Sequence, residues 1–352
     1  MLTHETILDT LRDAFDPKYG GDKGIALIAR YDNPALKLSG RRAQIFLPDC
    51  HLLSRRDAPA YPKWGFKQEE DLALCLARLT TLKADSPGQL RVWHLGDIFD
   101  IWRARGGIGD AAEVDLISAD FPEIVDRVRD GPPHGLKAEI IAGNHDYALF
   151  RLSEWEAARY KIVPSDDPEG GDILVLHGDL FDWIERLPDG IQAAAVRLAT
   201  GHASGRQNAF NDPEAVMVAN RLLELGDHPI GTGEAELSQG NGAVPAETAV
   251  NVVAGDQGNE KAPNKRFYAA GKALVQELRG RGHNIRALIV GHTHWPRIVA
   301  GDAAGQPFVL MDCGSWLGMS RLEPGGPWVH SAQIGVLVEN DLRLYQLGSR
   351  SA

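Results

Sequence analysis

Five short apolar runs in this chain each end in a tight polar motif, and that repetition limits the fold more than any other feature. The motifs are Asp49-Cys50-His51, Gly96-Asp97-Ile98-Phe99-Asp100, Gly143-Asn144-His145-Asp146, His177-Gly178-Asp179 and Gly291-His292-Thr293-His294. The runs before them, 43–48, 90–95, 137–142, 172–176 and 286–290, read as buried strands. Helical spacing of apolar residues occurs at 2–15, 68–84, 111–129 and 265–281. In the second of these, Leu72, Cys75, Leu76, Leu79 and Leu82 make one face, and Pro87-Gly88 ends it. Alternating strands and helices predict a layered α/β fold. In such folds functional groups gather at the carboxyl ends of the strands.

The motifs supply metal-ligand chemistry. Side chains alternate along an extended strand end, so Asp49 and His51 are predicted to face one way, as are His292 and His294 around Thr293. Asn144 offers a neutral carbonyl oxygen, and its neighbour His145 is left for charge or proton work. His177 precedes a glycine that lets the backbone turn tightly around a site. Asp97 is the expected centre, because the other four motifs carry groups able to share a metal with it. Asp100 can orient a ligand or an arginine, or cap a turn. Arg55 or Arg56, on the loop after the first motif, offers a guanidinium to a phosphate oxygen. Trp102 and Arg103 follow Asp100 and are placed to border the pocket.

Composition narrows the partners. A net charge of −11 on 352 residues argues against a general nucleic-acid binder, and part of that acidity can be metal-ligand carboxylate. Three cysteines without close spacing give neither a disulfide framework nor a cysteine-rich zinc motif, which fits a reducing cytoplasm. The polar N-terminus lacks a signal pattern, and no apolar run is long enough to span a bilayer. Peripheral membrane contact is compatible with both observations. Residues 181–264 differ in character: helix-like stretches at 184–198 and 213–225 give way to a small, polar segment at 231–264. They read as an inserted, partly helical cap between core segments 1–180 and 265–352.

In this order the motifs resemble those of the calcineurin-like metallophosphoesterases. The resemblance implies a four-layer α/β-β-α sandwich holding two divalent ions, with phosphoester hydrolysis by attack of a metal-bound hydroxide. It matches Asp49, His51, Asp97 and His294 to the ligands of one ion. Asp97, Asn144, His177 and His292 match those of the other, so Asp97 bridges. His145 matches the residue that stabilises charge or protonates the leaving group, with Asp146 nearby. Oxygen and imidazole donors suit Mn²⁺ foremost, with Fe or Zn²⁺ also compatible. Gly-His-Thr-His-x-Pro, Gly314-Ser315-Trp316 and the stretch from Gly96 to Trp102 look like the UDP-2,3-diacylglucosamine diphosphatase branch. That branch has Arg where this sequence has His145, and its cap presents apolar helices for acyl chains. The expected substrate is therefore a phosphomonoester or phosphodiester, small or lipid-linked, with UDP-2,3-diacylglucosamine as the alternative.

Overall fold

Two mixed sheets frame the molecule. The first has the order β1-β14-β13-β2-β3-β4. It joins β1 (Ile25–Asp32), β2 (Ala43–Leu47), β3 (Leu90–His94) and β4 (Glu139–Ile140) to β13 (Gln333–Val338) and β14 (Asp341–Leu347). The second joins β5 (Tyr160–Val163), β6 (Asp172–Leu176), β7 (Val252–Ala254), β8 (Ile285–Val290), β9 (Arg297–Ala303) and β10 (Gln306–Asp312). Its order is β5-β6-β8-β10-β9-β7. A separate antiparallel pair is formed by β11 (Gly318–Arg321) and β12 (Trp328–Ser331). This computed structural model describes residues 2–20, 24–34, 36–38, 42–60, 66, 68–101, 104, 108–165, 169–181, 252–254, 265–294, 296–321 and 328–348.

The alternation of side chains divides the strands between separate cores. In β2, Ala43, Ile45 and Leu47 enter one apolar cluster while Phe46 enters another. In β8, Leu288 and Val290 point to a third cluster, and Ala287 and Ile289 point away from it. Helices α1 (His4–Tyr19), α2 (Glu69–Asp85), α3 (Asp110–Asp120) and α4 (Pro122–Arg129) cover the first cluster. Helix α5 (Lys265–Gly280) covers the third through Leu274, Val275 and Leu278. Each such side chain contributes about 1.5–3 kcal/mol when fully buried. The remaining cluster mixes residues of both sheets, among them Phe46, Trp93, Ile173, Ile289 and Met311. Strands that are buried on both faces explain why the sequence shows short continuous apolar runs.

Helix boundaries follow local chemistry. Thr3 accepts a hydrogen bond from the Thr6 amide at the start of α1, and Gly20 ends it with φ 86°. The single helix expected over 111–129 is two. Pro122 opens α4, and the residue before a proline is pushed out of helical conformation, so Phe121 sits at φ −131°, ψ 52°. The strand expected over 137–142 is shorter, with only Glu139–Ile140 in the ladder and an isolated bridge from Ile141 to Ala158. The helices expected at 184–198 and 213–225 lie outside the described residues, as does the rest of the expected cap except Phe181 and β7. Phe181 is buried with α5, and β7 pairs parallel with β9.

At the start of β14, Asp341 accepts from Arg343 and Arg30 and lies 3.8 Å from His4 of α1. Burial works to raise its pKa, but the hydrogen bonds of Arg343 and Arg30 outweigh it and hold the carboxyl below its usual range. A depressed folded-state pKa gives stability that is present above the unfolded pKa of about 3.9 and is lost as pH falls through the folded value. Asp341→Asn is therefore expected to cost on the order of 1 kcal/mol at neutral pH. Thermal unfolding against pH checks this: the wild-type and variant curves should converge as pH falls through the depressed folded value of Asp341, and a gap that persists in strong acid would contradict the charge argument.

Candidate metal centre

All five motifs follow strands β2, β3, β4, β6 and β8; β2, β3 and β4 run parallel to one another in the first sheet, as do β6 and β8 in the second. Their carboxyl ends therefore open on one side. The first sheet brings Asp49, His51, Asp97, Asp100, Asn144 and His145, and the second brings His177, His292 and His294. All nine side chains are buried.

They form three groups whose donor atoms lie within 4.8 Å of one another: Asp49/His51/His294, Asp97/His177/His292 and His51/Asp100/His145. In the first, His51 Nε2 stands 3.1 Å from His294 Nε2, which is 3.2 Å from Asp49 Oδ2. In the second, His177 Nε2 is 3.2 Å from His292 Nδ1, 3.1 Å from Asp97 Oδ2 and 3.0 Å from Asn144 Oδ1. Asp97 Oδ2 also lies 3.5 Å from His51 Nε2, so one carboxylate faces histidines of two groups.

These spacings fit a cation. Two donors about 2.1 Å from one ion and 90–109° apart stand roughly 3.0–3.4 Å from each other. Among the described residues, the buried Asp97 Oδ2 has no donor aligned on it other than the facing His177 Nε2 at 3.1 Å, the position a metal would take up. Electrostatics point the same way. Burial pulls the His177 pKa down, but the Asp97 and Asp49 carboxylates outweigh it and raise it to about 10. Burial likewise works to raise Asp97 and Asp49, and His177 foremost among the facing histidines holds both low. The His177 Nδ1–H donates to the Leu95 carbonyl at 2.9 Å, which turns Nε2 to the centre. The centre thus attracts a positive charge, and a divalent ion can replace the proton on Nε2.

The local backbone makes the convergence possible, by a route other than strand alternation. His51, Asp97, His292 and His294 have φ of 49°, 50°, 71° and 57°. They are four of the nine non-glycine residues at positive φ among the described residues. Each such turn costs on the order of 1–3 kcal/mol, so the surrounding structure must hold it. The supports are visible. The His292 amide donates to both Asp49 oxygens at 2.9 and 3.1 Å, and the Cys50 and His51 amides donate to the Asp97 carbonyl.

The glycines of the motifs serve close approach. A Cβ on Gly143 would stand 2.0 Å from Asp97 Oδ1, and one on Gly291 would stand 2.3 Å from Asp49 Oδ1. Gly143→Ala is expected to displace Asp97 and destabilise the fold by about 1–3 kcal/mol. Added Mn²⁺ should raise the melting temperature of the wild type and leave that of the variant nearly unchanged. An equal rise in both would show that the close approach has no bearing on metal binding.

The remaining predicted residues have distinct surroundings. His145 Nδ1 lies 2.8 Å from Asp100 Oδ1, and its ring stands edge-on to His51 at 4.6 Å. Asp146 faces the backbone: its oxygens accept from the amides of Gly143 and Ile98, each at 2.7 Å. Burial and the neighbouring Asp97 push its carboxyl up to about 7. Arg55 pairs with Glu69 at 2.8 Å, and Arg56 pairs with Asp57 and Glu113 at 2.7 and 3.0 Å. Trp102 and Arg103 lie outside the described residues. The sequence reading missed Asp312, whose carboxylate accepts from the Thr293 hydroxyl between His292 and His294. It stands 19 residues from Thr293 in a plain β-strand, so no local spacing marks it. Burial pushes it up to about 7 against the pull of Arg297. The three cysteines are free and buried.

Two mixed sheets whose loops pool carboxylates and imidazoles over one buried centre are the frame of a metal-dependent phosphoric ester hydrolase, and that is the class of this chain. No family model matches it. It is similar to the UDP-2,3-diacylglucosamine hydrolase of Marinobacter nauticus, with 26% identity over 246 residues, 68% of this chain and 82% of the relative. The protein of that name from Stenotrophomonas maltophilia is 26% identical over 256 residues, 70% of this chain and 88% of the relative. That of Xanthomonas campestris pv. campestris is 25% identical over 276 residues, 77% of this chain and 90% of the relative. The resemblance to the metallophosphoesterases thus extends over about two thirds of the chain or more. Among the described residues, no helix is long and apolar enough to cross a membrane.

Proposed function

We propose that this chain is a two-metal hydrolase that cleaves the pyrophosphate of a UDP-linked, diacylated glucosamine, within a four-layer α/β-β-α frame capped by residues 181–264. The geometric observation that carries the two-metal reading is Asp97 Oδ2, which lies 3.1 Å from His177 Nε2 of one ligand group and 3.5 Å from His51 Nε2 of the other. The relatives' shared name supports the substrate. In this reading Asp49, His51, Asp97 and His294 hold one ion, and Asp97, Asn144, His177 and His292 hold the other. Mn²⁺ is the proposed ion, and the same donors accept Fe or Zn²⁺. The enzyme is cytoplasmic and meets the lipid at a membrane surface.

When bound, such an ion pair polarises phosphoryl oxygens and supplies an acidified water at neutral pH. The chain's own residues do the rest. His145 donates its Nδ1–H to Asp100, which steadies the imidazolium and leaves Nε2 to protonate the departing oxygen. Asp146 holds the backbone of Ile98 and Gly143, and so the loops that carry Asp97 and Asn144. Trp102 and Arg103, beside Asp100, are the proposed substrate contacts. For Arg55 or Arg56 to reach a phosphate, each would have to leave its acidic partners.

The test is hydrolysis of UDP-2,3-diacylglucosamine in detergent with Mn²⁺, beside bis-p-nitrophenyl phosphate and p-nitrophenyl phosphate, with and without EDTA. Chelator-sensitive release of UMP and the sugar 1-phosphate is expected. A second reading, a general phosphodiesterase, rests on His145 standing where that branch has Arg. Fast cleavage of the nitrophenyl diester with no release of UMP would establish the second reading in place of the first.

A further inference from the structure

We propose that Arg159 is a positioning residue that fixes the spacing of the two sheets beside the Asn144/His177 half of the centre. The proposal rests on the two-metal reading above.

The candidate ligands come from both sheets, so any ion held by them depends on the distance between the sheets. On one flank that distance is set directly, because the His292 amide of the second sheet donates to the Asp49 carboxylate of the first. The other flank is at the sheet edges. β4 is the last strand of the first sheet, and β5 is the last of the second. Asn144 follows β4 and His177 follows β6, the neighbour of β5. Among the described residues, one chain segment passes from edge to edge here. Ala158 exchanges hydrogen bonds with Ile140 and Ala142 of the first sheet, and Tyr160 pairs with Leu176 of the second. Arg159 is the residue between them.

Its side chain turns inward and is buried. One guanidinium nitrogen donates to Asp179 Oδ2 at 2.7 Å, and the other donates to the Ala142 carbonyl at 3.4 Å. The guanidinium carbon lies 5.0 Å from the ring centre of Tyr147, whose hydroxyl also donates to Asp179. Ala142 is two residues before Asn144, and Asp179 is two residues after His177. One planar, two-pronged group therefore ties together the loops that bring Asn144 Oδ1 within 3.0 Å of His177 Nε2. A buried ion pair adds little net stability against its desolvation, so geometry is the larger return from this arrangement. A lysine, with one charged atom, cannot span both acceptors.

The experiment is a Mn²⁺ titration of chelator-treated protein by calorimetry, with EPR to separate a spin-coupled ion pair from isolated ions. The wild type is expected to bind two ions as a coupled pair. In Arg159→Lys, affinity for one of the two ions should fall about 10–100-fold, the usual loss on disturbing a residue that supports a ligand. At Mn²⁺ levels that fill both wild-type sites, EPR should then show isolated ions. The double variant Arg159→Gln/Asp179→Asn removes both buried charges and carries the same expectation if the lysine variant does not fold. A folded variant that binds the coupled pair with wild-type affinity overturns the proposal. So does equal weakening of both ions, which would mark Arg159 as a support of the fold in general. A wild type that binds fewer than two ions removes the two-metal reading itself, and it is recognised before any substitution is made.

Discussion

Asp97→Asn is expected to lower hydrolysis roughly 10²–10⁴-fold and to weaken both ions together. The side chain keeps its shape, and its Oδ1 can still accept the His145 amide hydrogen bond seen at 2.9 Å. What is lost is the charge at Oδ2, which lies between His177 and His51 of the two ligand groups. A supporting residue costs about 10–100-fold in affinity or activity when removed. A shared ligand exposes two ions to a loss of that size, and the two losses need not add, because the sites touch. Metal content after dialysis and kcat with excess Mn²⁺ check this directly. If the variant kept full metal content and lost only rate, Asp97 would not be the bridge. An unchanged rate would falsify its place in the centre altogether.

The second large effect concerns proton transfer. His145→Ala is expected to retain both ions and to lose about 10²–10⁴-fold in kcat, the usual range for a positioned general acid. Its imidazole reaches Asp100 at 2.8 Å, and Asp100 Oδ2 lies 3.8 Å from His51 Nδ1. Asp100→Asn should therefore lower kcat less than His145→Ala, because the imidazole stays but loses its anionic partner. The kcat–pH profile separates the roles: its alkaline limb should disappear in His145→Ala and move to lower pH in Asp100→Asn. Loss of metal from His145→Ala would instead make the histidine a ligand, with the group His51/Asp100/His145 as its site.

Much of the frame was legible because strands buried on both faces leave continuous apolar runs. The runs at 43–48, 172–176 and 286–290 coincide with β2, β6 and β8 to within one residue at each end. The helical face of Leu72, Cys75, Leu76, Leu79 and Leu82 is buried in α2, as its spacing required. The division of 111–129 was legible too, in Pro122, and went unread because the apolar spacing runs on across it. Strand β5 escaped because Tyr160–Val163 is a short edge strand with no full alternation, and its place depends on pairing with β6.

The site divides in the same way. Chain order placed a carboxylate, amide or imidazole at each of five strand ends, and nearest-neighbour chemistry is enough to state that. Sequence also marked the glycines, though their reason is tertiary: the atoms a Cβ would strike at Gly143 and Gly291 belong to Asp97 and Asp49. Only the folded chain decides which donors meet. His51 joins His294 across 243 positions, and His292 joins His177 across 115. The left-handed turns at His51, Asp97, His292 and His294 are likewise unfavourable locally and are held by hydrogen bonds from distant segments. Arg159, Asp179 and Asp312 act through partners 17 to 20 positions away. Sequence determines which chemistry each strand end carries, because that is set by neighbouring residues. The joining of those ends into one centre is decided by packing between two sheets, a long-range energy that no single segment contains.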